Sequence, residues 1–203
     1  MTGLTLYYAP RTRSVRVRWL LEELELPHAL ERVPFSPPTG GFFSQATPLG
    51  KFPVLVDGSV TIFESGAIVE YVLERYGSGR LAPPIGSPLR GPFLQWLHFA
   101  EATAFPPLGT IVWHTLYKAD AERVPSVIED ARGRAGATLG VVERALAGRA
   151  YLLGPEFSAA DVMMGFTLEA AKLLGVLDPA HVNLGAYLRR LEDRPAFRRA
   201  TAD

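Results

Sequence analysis

Two polar clusters stand immediately ahead of helical stretches, and both have donors that suit an anion. The first is Glu64-Ser65-Gly66, where the strand-like run Ser59–Phe63 passes directly into a helix. The first amides of a helix have no intrahelical acceptor, and they and the helix dipole favour negative charge. Ser65 reads as the N-cap, Gly66 lets a ligand approach the backbone, and Glu64 can hold a cation. The pair therefore suits a zwitterion, with the carboxylate on Ser65 and the amides and the ammonium on Glu64. An ordinary capped helix with a solvated acid has the same residues, so the pair alone leaves both readings open.

The second cluster is Pro10-Arg11-Thr12-Arg13-Ser14, again ahead of a helix. Two hydroxyls and two guanidiniums there can stabilise an anion, a thiolate included. A free thiol with a pKa of about 8.5 falls by several units at such a site, and each unit is about 1.4 kcal/mol. A capped helix with a solvated basic face is the structural alternative. Pro53 heads a strand, where it removes a backbone donor. If the Phe52-Pro53 bond is cis, the Phe52 backbone turns outward and can pair with an extended peptide as an added strand would.

The elements that must hold these groups follow from periodicity. Leu4–Tyr8 alternates and is β-prone. From Ser14, read as capping the first helix, Val17, Leu20, Leu21 and Leu24 form one apolar stripe, with Arg16, Glu22 and Glu23 placed on the wet face. Pro27 ends this helix, Ala29–Phe35 is a second strand, and Ser36–Pro48 is a loop. Val54–Val56 and Ser59–Phe63 form a hairpin about Asp57-Gly58. A helix from Ser65 buries Ile68, Val69, Val72, Leu73 and Tyr76 and stops at Gly77.

Ser78–Pro88, rich in Gly, Pro and Ser, reads as a domain linker. Everything beyond it is helical: 89–119, kinked at Pro106-Pro107, then 124–147, 159–174, 182–193 and 195–202. Gly133, Gly136 and Gly140 are expected to allow close helix approach. Ser158 and Asp161 form the acidic variant of a capping box, a folding device. Trp113, His114 and Tyr117 are candidates to line a pocket.

Composition removes several classes. With 203 residues and 48% of them hydrophobic, the chain suits one or two domains with a sizeable core. Its 21 basic and 21 acidic residues cancel, which gives no reason to expect nucleic acid or a membrane as partner. Absence of cysteine removes disulfides, thiolate metal sites and a cysteine nucleophile, and the four histidines show no ligand spacing, so no metal is expected. The N-terminal stretch does not read as a secretory signal, and a cytoplasmic location is the expectation.

The segments LYYAPRTRSVRVRWLLEEL, PLGKFPVLVDG, TIFESGAIVEYV, WLHFAEATAFPPL, FSAADV and RPAFRR, in that order, resemble the glutathione transferase superfamily, bacterial cytosolic type, across nearly the whole chain. The resemblance implies an α/β thioredoxin-like N-terminal domain with a mixed four-stranded sheet, at 1–80, and an all-α helical bundle domain, at 87–203. It implies glutathione as co-substrate, a small apolar electrophile bound between the domains, a cytoplasmic homodimer and a role in detoxification. Pro53 matches the family's cis-proline, with the Phe52 backbone pairing the cysteinyl unit. Glu64 and Ser65 match the pair holding the γ-glutamyl group, and Lys51 matches a position reaching the glycine end. Ser14 matches the serine that activates the thiol, helped by Thr12 and Arg13, where one bacterial class has a cysteine at the place of Arg13. A second gapless alignment places Tyr7 on the tyrosine of tyrosine-type members, so the two alignments leave Ser14 and Tyr7 as rival activators. Glutathione-dependent reduction, isomerisation or dehalogenation, or a non-enzymatic interaction module, are the alternative functions.

Overall fold

The computed structural model describes residues 3–34, 46–47 and 49–202. The loop expected over Ser36–Pro48 and the end of the second strand at Phe35 lie outside these, Ala46 and Thr47 excepted. By internal packing the chain forms two units. One runs to Pro84 and also takes in the segment from Glu192 onward, and the other spans Ile85–Leu191.

The first unit is built on β1 (Leu4–Tyr8), α1 (Ser14–Glu23), β2 (His28–Arg32), β3 (Val54–Asp57), β4 (Val60–Phe63) and α2 (Ser65–Tyr76). The strands form one mixed sheet in the order β2-β1-β3-β4, the thioredoxin-like arrangement. Strands β1 and β2 are parallel, joined by a crossover through α1, and the other pairs are antiparallel. Val54 and Leu55 are fully buried beside Leu4 and Leu6. Asp57-Gly58 makes the hairpin turn, with Gly58 at φ 59°, a left-handed conformation that glycine adopts without a Cβ penalty.

Helix α1 departs from the expected amphipathic pattern, since none of its ten residues is exposed. The face assigned to water is covered by the C-terminal segment. There α8 (Pro195–Thr201) lays Phe197 edge-to-face on Trp19, with ring centroids 4.8 Å apart. Glu23 accepts a two-pronged ion pair from Arg194, at 2.6 and 2.7 Å, and the Trp19 indole N–H at 2.8 Å. Glu22 pairs with Arg199. Arg16 is completely buried. At the other end of α1, the Arg80 guanidinium donates to the carbonyls of Glu23 and Leu24, at 2.7 and 3.3 Å. A cation is well placed there, because the last helical carbonyls are unsatisfied and negative. A residue of the expected linker thus closes α1.

The second unit holds α3 (Arg90–Phe99), α4 (Phe105–Val112), α5 (Pro125–Ala145), α6 (Ala159–Leu173) and α7 (Val182–Glu192). The single helix expected over 89–119 is instead interrupted by two wide π turns, at Ala100–Ala104 and Trp113–Tyr117. Pro106 and Pro107 sit in the first turn of α4. Neither can donate to the ladder, so the bonding pattern widens just before them rather than kinking at them. The buried Thr167 hydroxyl lies 3.1 Å from the carbonyl oxygen of Ala100, giving that group a partner from α6. Gly133 and Gly136 do not serve close approach, because a Cβ added at either meets nothing within 4 Å.

Asp161 organises the entry to α6. The capping box is present: the Ser158 amide donates to Oδ2 at 2.8 Å, and the Ser158 hydroxyl lies 2.9 Å from the same oxygen. The Leu152 amide and the Tyr187 hydroxyl donate to Oδ1, at 2.9 and 2.7 Å. Burial, followed by the Asp161 charge, pushes the Tyr187 phenol well above its ordinary range, which keeps its proton in place as a donor. Asp161→Ala leaves several buried donors unmatched, at about 1–3 kcal/mol each. Urea unfolding is expected to show a loss above about 3 kcal/mol, and Asp161→Asn, which retains one oxygen, a smaller loss.

Candidate functional site

Strand register brings three chain segments to one end of the sheet. Tyr7 pairs with Val54, and Val54 pairs with Phe63. One residue further along, β1 leaves into the loop 9–13, β3 is entered from Lys51-Phe52-Pro53, and β4 exits at Glu64. The two helix starts expected to hold anions and the expected backbone pairing segment therefore stand side by side.

The Phe52-Pro53 peptide bond is cis. Pro53 is buried, Phe52 half-buried and Lys51 exposed. Thr47 shapes the approach to this segment. Its carbonyl accepts from Gly50 N–H and its hydroxyl oxygen from Lys51 N–H, both at 3.2 Å. Gly50 has φ 60°, so the turn runs through a conformation that suits glycine.

At α2, Glu64 rather than Ser65 occupies the N-cap position. It has φ 71° and makes no side-chain cap bond. This changes the role expected for Ser65, which is the first helical residue and is buried. Its oxygen accepts from Nη1 of the buried Arg16, at 3.2 Å. Glu64 is exposed and free to meet a cation in solvent. Arg16 is the site residue that sequence reasoning assigned to the wet face. The signal available was Trp19 three residues on, which with Val15 puts apolar residues on the side of α1 opposite the expected stripe.

At α1 the N-cap position is Arg13, so Ser14 is the first helical residue and not the cap. Thr12 does the capping work. Its hydroxyl oxygen accepts from Ser14 N–H at 3.3 Å and its carbonyl from Val15 N–H at 3.0 Å, while Arg13 takes Arg16 N–H at 3.2 Å. The first amides of α1 are thus satisfied within the loop. Any donors to an anion there must come from side chains of the loop and of Ser14.

The Thr12 hydroxyl lies 2.7 Å from Ala9 O and 2.9 Å from Ser14 Oγ. It has one proton to give. When that proton goes to Ser14, the proton of Ser14 is released to point elsewhere. Ser14 exposes only 1% of its surface, whereas Thr12, Arg13 and Tyr7 are half-buried and Arg11, at φ 56°, is exposed. Trp113 and Tyr117, candidates for a pocket wall, stack at 5.4 Å in the second unit and are half exposed, while His114 is buried. Among the described residues no group of His, Asp or Glu is placed to hold a metal, and no helix is long and apolar enough to cross a membrane.

Residues 2–74 match the family model described as glutathione S-transferase, N-terminal domain, and residues 125–199 match that of the C-terminal domain. The chain belongs to the glutathione S-transferase family. It is 30% identical to the glutathione S-transferase-like protein tpcF of Aspergillus fumigatus, over 98% of this chain and 95% of that protein. It is 29% identical to the disulfide-bond oxidoreductase YfcG of Escherichia coli, over 78% of this chain and 76% of that one. Among solved structures it resembles the glutathione transferase URE2P6 of Phanerochaete chrysosporium, determined with oxidized glutathione. That similarity has a TM-score of 0.86 and 27% identity, over 98% of this chain and 94% of that one. These relatives support a glutathione-linked enzyme.

Asp57 fixes the hairpin that delivers Glu64 and Ser65. Its Oδ2 accepts from Tyr71 and Tyr76, at 2.8 and 2.5 Å, and faces Arg75 Nε at 3.1 Å. The hairpin turn is thereby tied to the C-terminal half of α2. Desolvation pushes the carboxyl up, but the Tyr76 and Tyr71 hydroxyls and Arg75 outweigh it and hold it below the usual carboxylate range. A depressed folded pKa gives stability that is present above the unfolded value of about 3.9 and lost as pH falls through the folded value. Asp57→Asn should therefore cost about 1–2 kcal/mol at pH 7. The gap to the parent protein, followed by urea unfolding, should shrink as pH falls below about 4.

Proposed function

We propose that this chain is a glutathione S-transferase that binds glutathione at this end of the sheet and activates its sulfur as a thiolate for attack on a small apolar electrophile. The observation that carries the reading is the convergence, in one packing unit, of the 9–13 loop, the Phe52-Pro53 segment and the start of α2. On this reading Ser65 and the first amides of α2 take the γ-glutamyl carboxylate. Glu64 takes the ammonium, the Phe52 backbone pairs with the cysteinyl unit, and Lys51 meets the glycine carboxylate. Pro53 keeps the Phe52 backbone turned outward. Ser14 donates to the sulfur, with Thr12 passing it a hydrogen bond and Arg13 adding positive charge. The protein's contribution is positioning and charge stabilisation, with no covalent step.

Two observations favour other readings. The slight exposure of Ser14 beside a half-buried Tyr7 favours the tyrosine as activator. The similarity to a disulfide-bond oxidoreductase favours glutathione-dependent reduction on the same site. Absorbance titration of the bound thiolate distinguishes the activators. Ser14→Ala is expected to raise the bound thiol pKa by about 1–2 units, at about 1.4 kcal/mol per unit. It should also slow turnover of a halonitroarene about tenfold or more, less than a well-aligned oxyanion donor because Thr12 partly substitutes. Tyr7→Phe should change neither. The reverse pattern makes Tyr7 the activator. No thiolate signal in the parent protein refutes the transferase reading, and turnover of a mixed disulfide without the arene supports the reductase.

We further infer a cytoplasmic homodimer acting in detoxification, as closed two-fold dimers are the commonest oligomers. Light scattering is expected to give twice the 22.2 kDa chain mass, and the monomer mass at micromolar concentration refutes it.

A further inference from the structure

We infer that Arg16 is a positioning residue that makes the start of α2 selective for a carboxylate, a proposal that rests on glutathione binding there. Arg16 is completely buried, yet its Nη1 reaches Ser65 Oγ at 3.2 Å, across 49 residues of sequence. Ser65 is itself buried and is the first residue of α2. A hydroxyl whose oxygen accepts from a guanidinium cannot also point its proton at that guanidinium. Its proton is therefore turned away, and Ser65 becomes a committed donor.

The guanidinium also adds a full positive charge beneath a helix start that already has about half a charge. Arginine stays protonated at every pH at which the protein is folded, so this charge does not titrate. In a buried setting the field is screened less than at a surface. Donor and charge act on the same ligand group: an anion at the first turn of α2, and not a neutral group of the same shape. The function is thus relayed. Arg16 sits below Ser65 and the ligand above it, so Arg16 sets the strength of the contact without touching the ligand.

A purely structural tie between α1 and α2 predicts something different. Losing it weakens every ligand of the site by the same factor. The test compares reduced glutathione with 4-aminobutyryl-Cys-Gly, which lacks only the γ-glutamyl α-carboxylate. Calorimetry on the full chain measures both affinities for the parent protein, Arg16→Met and Arg16→Lys, with thermal melts run alongside. The parent is expected to prefer glutathione, with a preference flat between about pH 6 and 8, because no group in the pair titrates there. Arg16→Met should reduce the preference at least about tenfold, a change of about 1.4 kcal/mol in relative affinity. Arg16→Lys keeps the charge but loses the planar fork, and should reduce it about threefold.

Equal weakening of both ligands in Arg16→Met overturns the proposal and leaves the glutathione reading intact. Where Arg16→Met fails to fold, an unchanged preference in Arg16→Lys overturns it. A parent protein that binds neither ligand overturns both the proposal and the reading beneath it.

Discussion

Helix α1 has no wet face, and most of the first unit follows from that constraint. It packs against the sheet and α2, and the C-terminal segment closes over the remainder. An apolar helix would meet this constraint with side chains alone. Here the buried Arg16 must find a partner, since a buried charge without one costs several kcal/mol, and Glu22 and Glu23, partly covered, find partners too. Arg16 finds Ser65 at the start of α2. Glu23 finds Arg194 and the Trp19 indole, and Glu22 finds Arg199. Each solution fixes a different part of the chain against α1, so the helix registers elements far apart in sequence. The Arg194–Glu23 pair has good two-pronged geometry and is largely shielded from solvent, the circumstance in which an ion pair holds best.

The sheet supplies the second layer of positioning. Strands β1 and β4 run the same way because both are antiparallel to β3. Their C-terminal ends therefore emerge together, and each feeds a helix whose N-terminus faces the same side. A parallel arrangement of strand ends is a common way for α/β sheets to gather ligand groups, as it collects loops and helix dipoles at one edge. Asp57 secures the far end of the same hairpin through Tyr71 and Tyr76, so β4 is held at its start by this cluster and at its end by Ser65 and Arg16.

Local signals in the sequence revealed the strands, the hairpin about Asp57-Gly58, the helix from Ser65 and the Ser158–Asp161 box, because each depends on residues within a few positions of one another. What stayed hidden depends on distant chain. The polar face of α1 looks solvated until the segment from Glu192 is known to cover it, and nothing near Arg16 in sequence names Ser65. The first π turn follows from where Pro106, Pro107 and Thr167 place their bonding deficits and donors, which periodicity does not register. Gly133 and Gly136 show the opposite error: a small residue permits close approach but does not summon a neighbour. At both helix starts the residue types point to the serine as the cap, and in both the residue before it takes that position. Ser14 and Ser65 instead spend their side chains on Thr12 and Arg16, partners that a cap consensus does not include.

That displacement bears on how a thiolate would be held. The dipole of a helix start acts on an anion most strongly through amides aimed at it. At α1 those amides are turned inward to Thr12 and Arg13, so the helix offers its field without its hydrogen bonds. Stabilisation of a sulfur anion must then come from side chains, and hydroxyls are the short, directional donors present. The contact between Thr12 and Ser14 bears on this: when Thr12 gives its single proton to Ser14 rather than to the Ala9 carbonyl, Ser14 becomes a stronger donor in its next hydrogen bond. The two helix starts thus reach the same end by different means. At α2 a buried guanidinium donates to the serine, and at α1 a neighbouring hydroxyl does so when its proton is not given to Ala9. On the proposed reading, a site built this way would separate the grip on the ligand's carboxylate, backed by a permanent charge, from the grip on its sulfur, backed by a neutral hydroxyl pair.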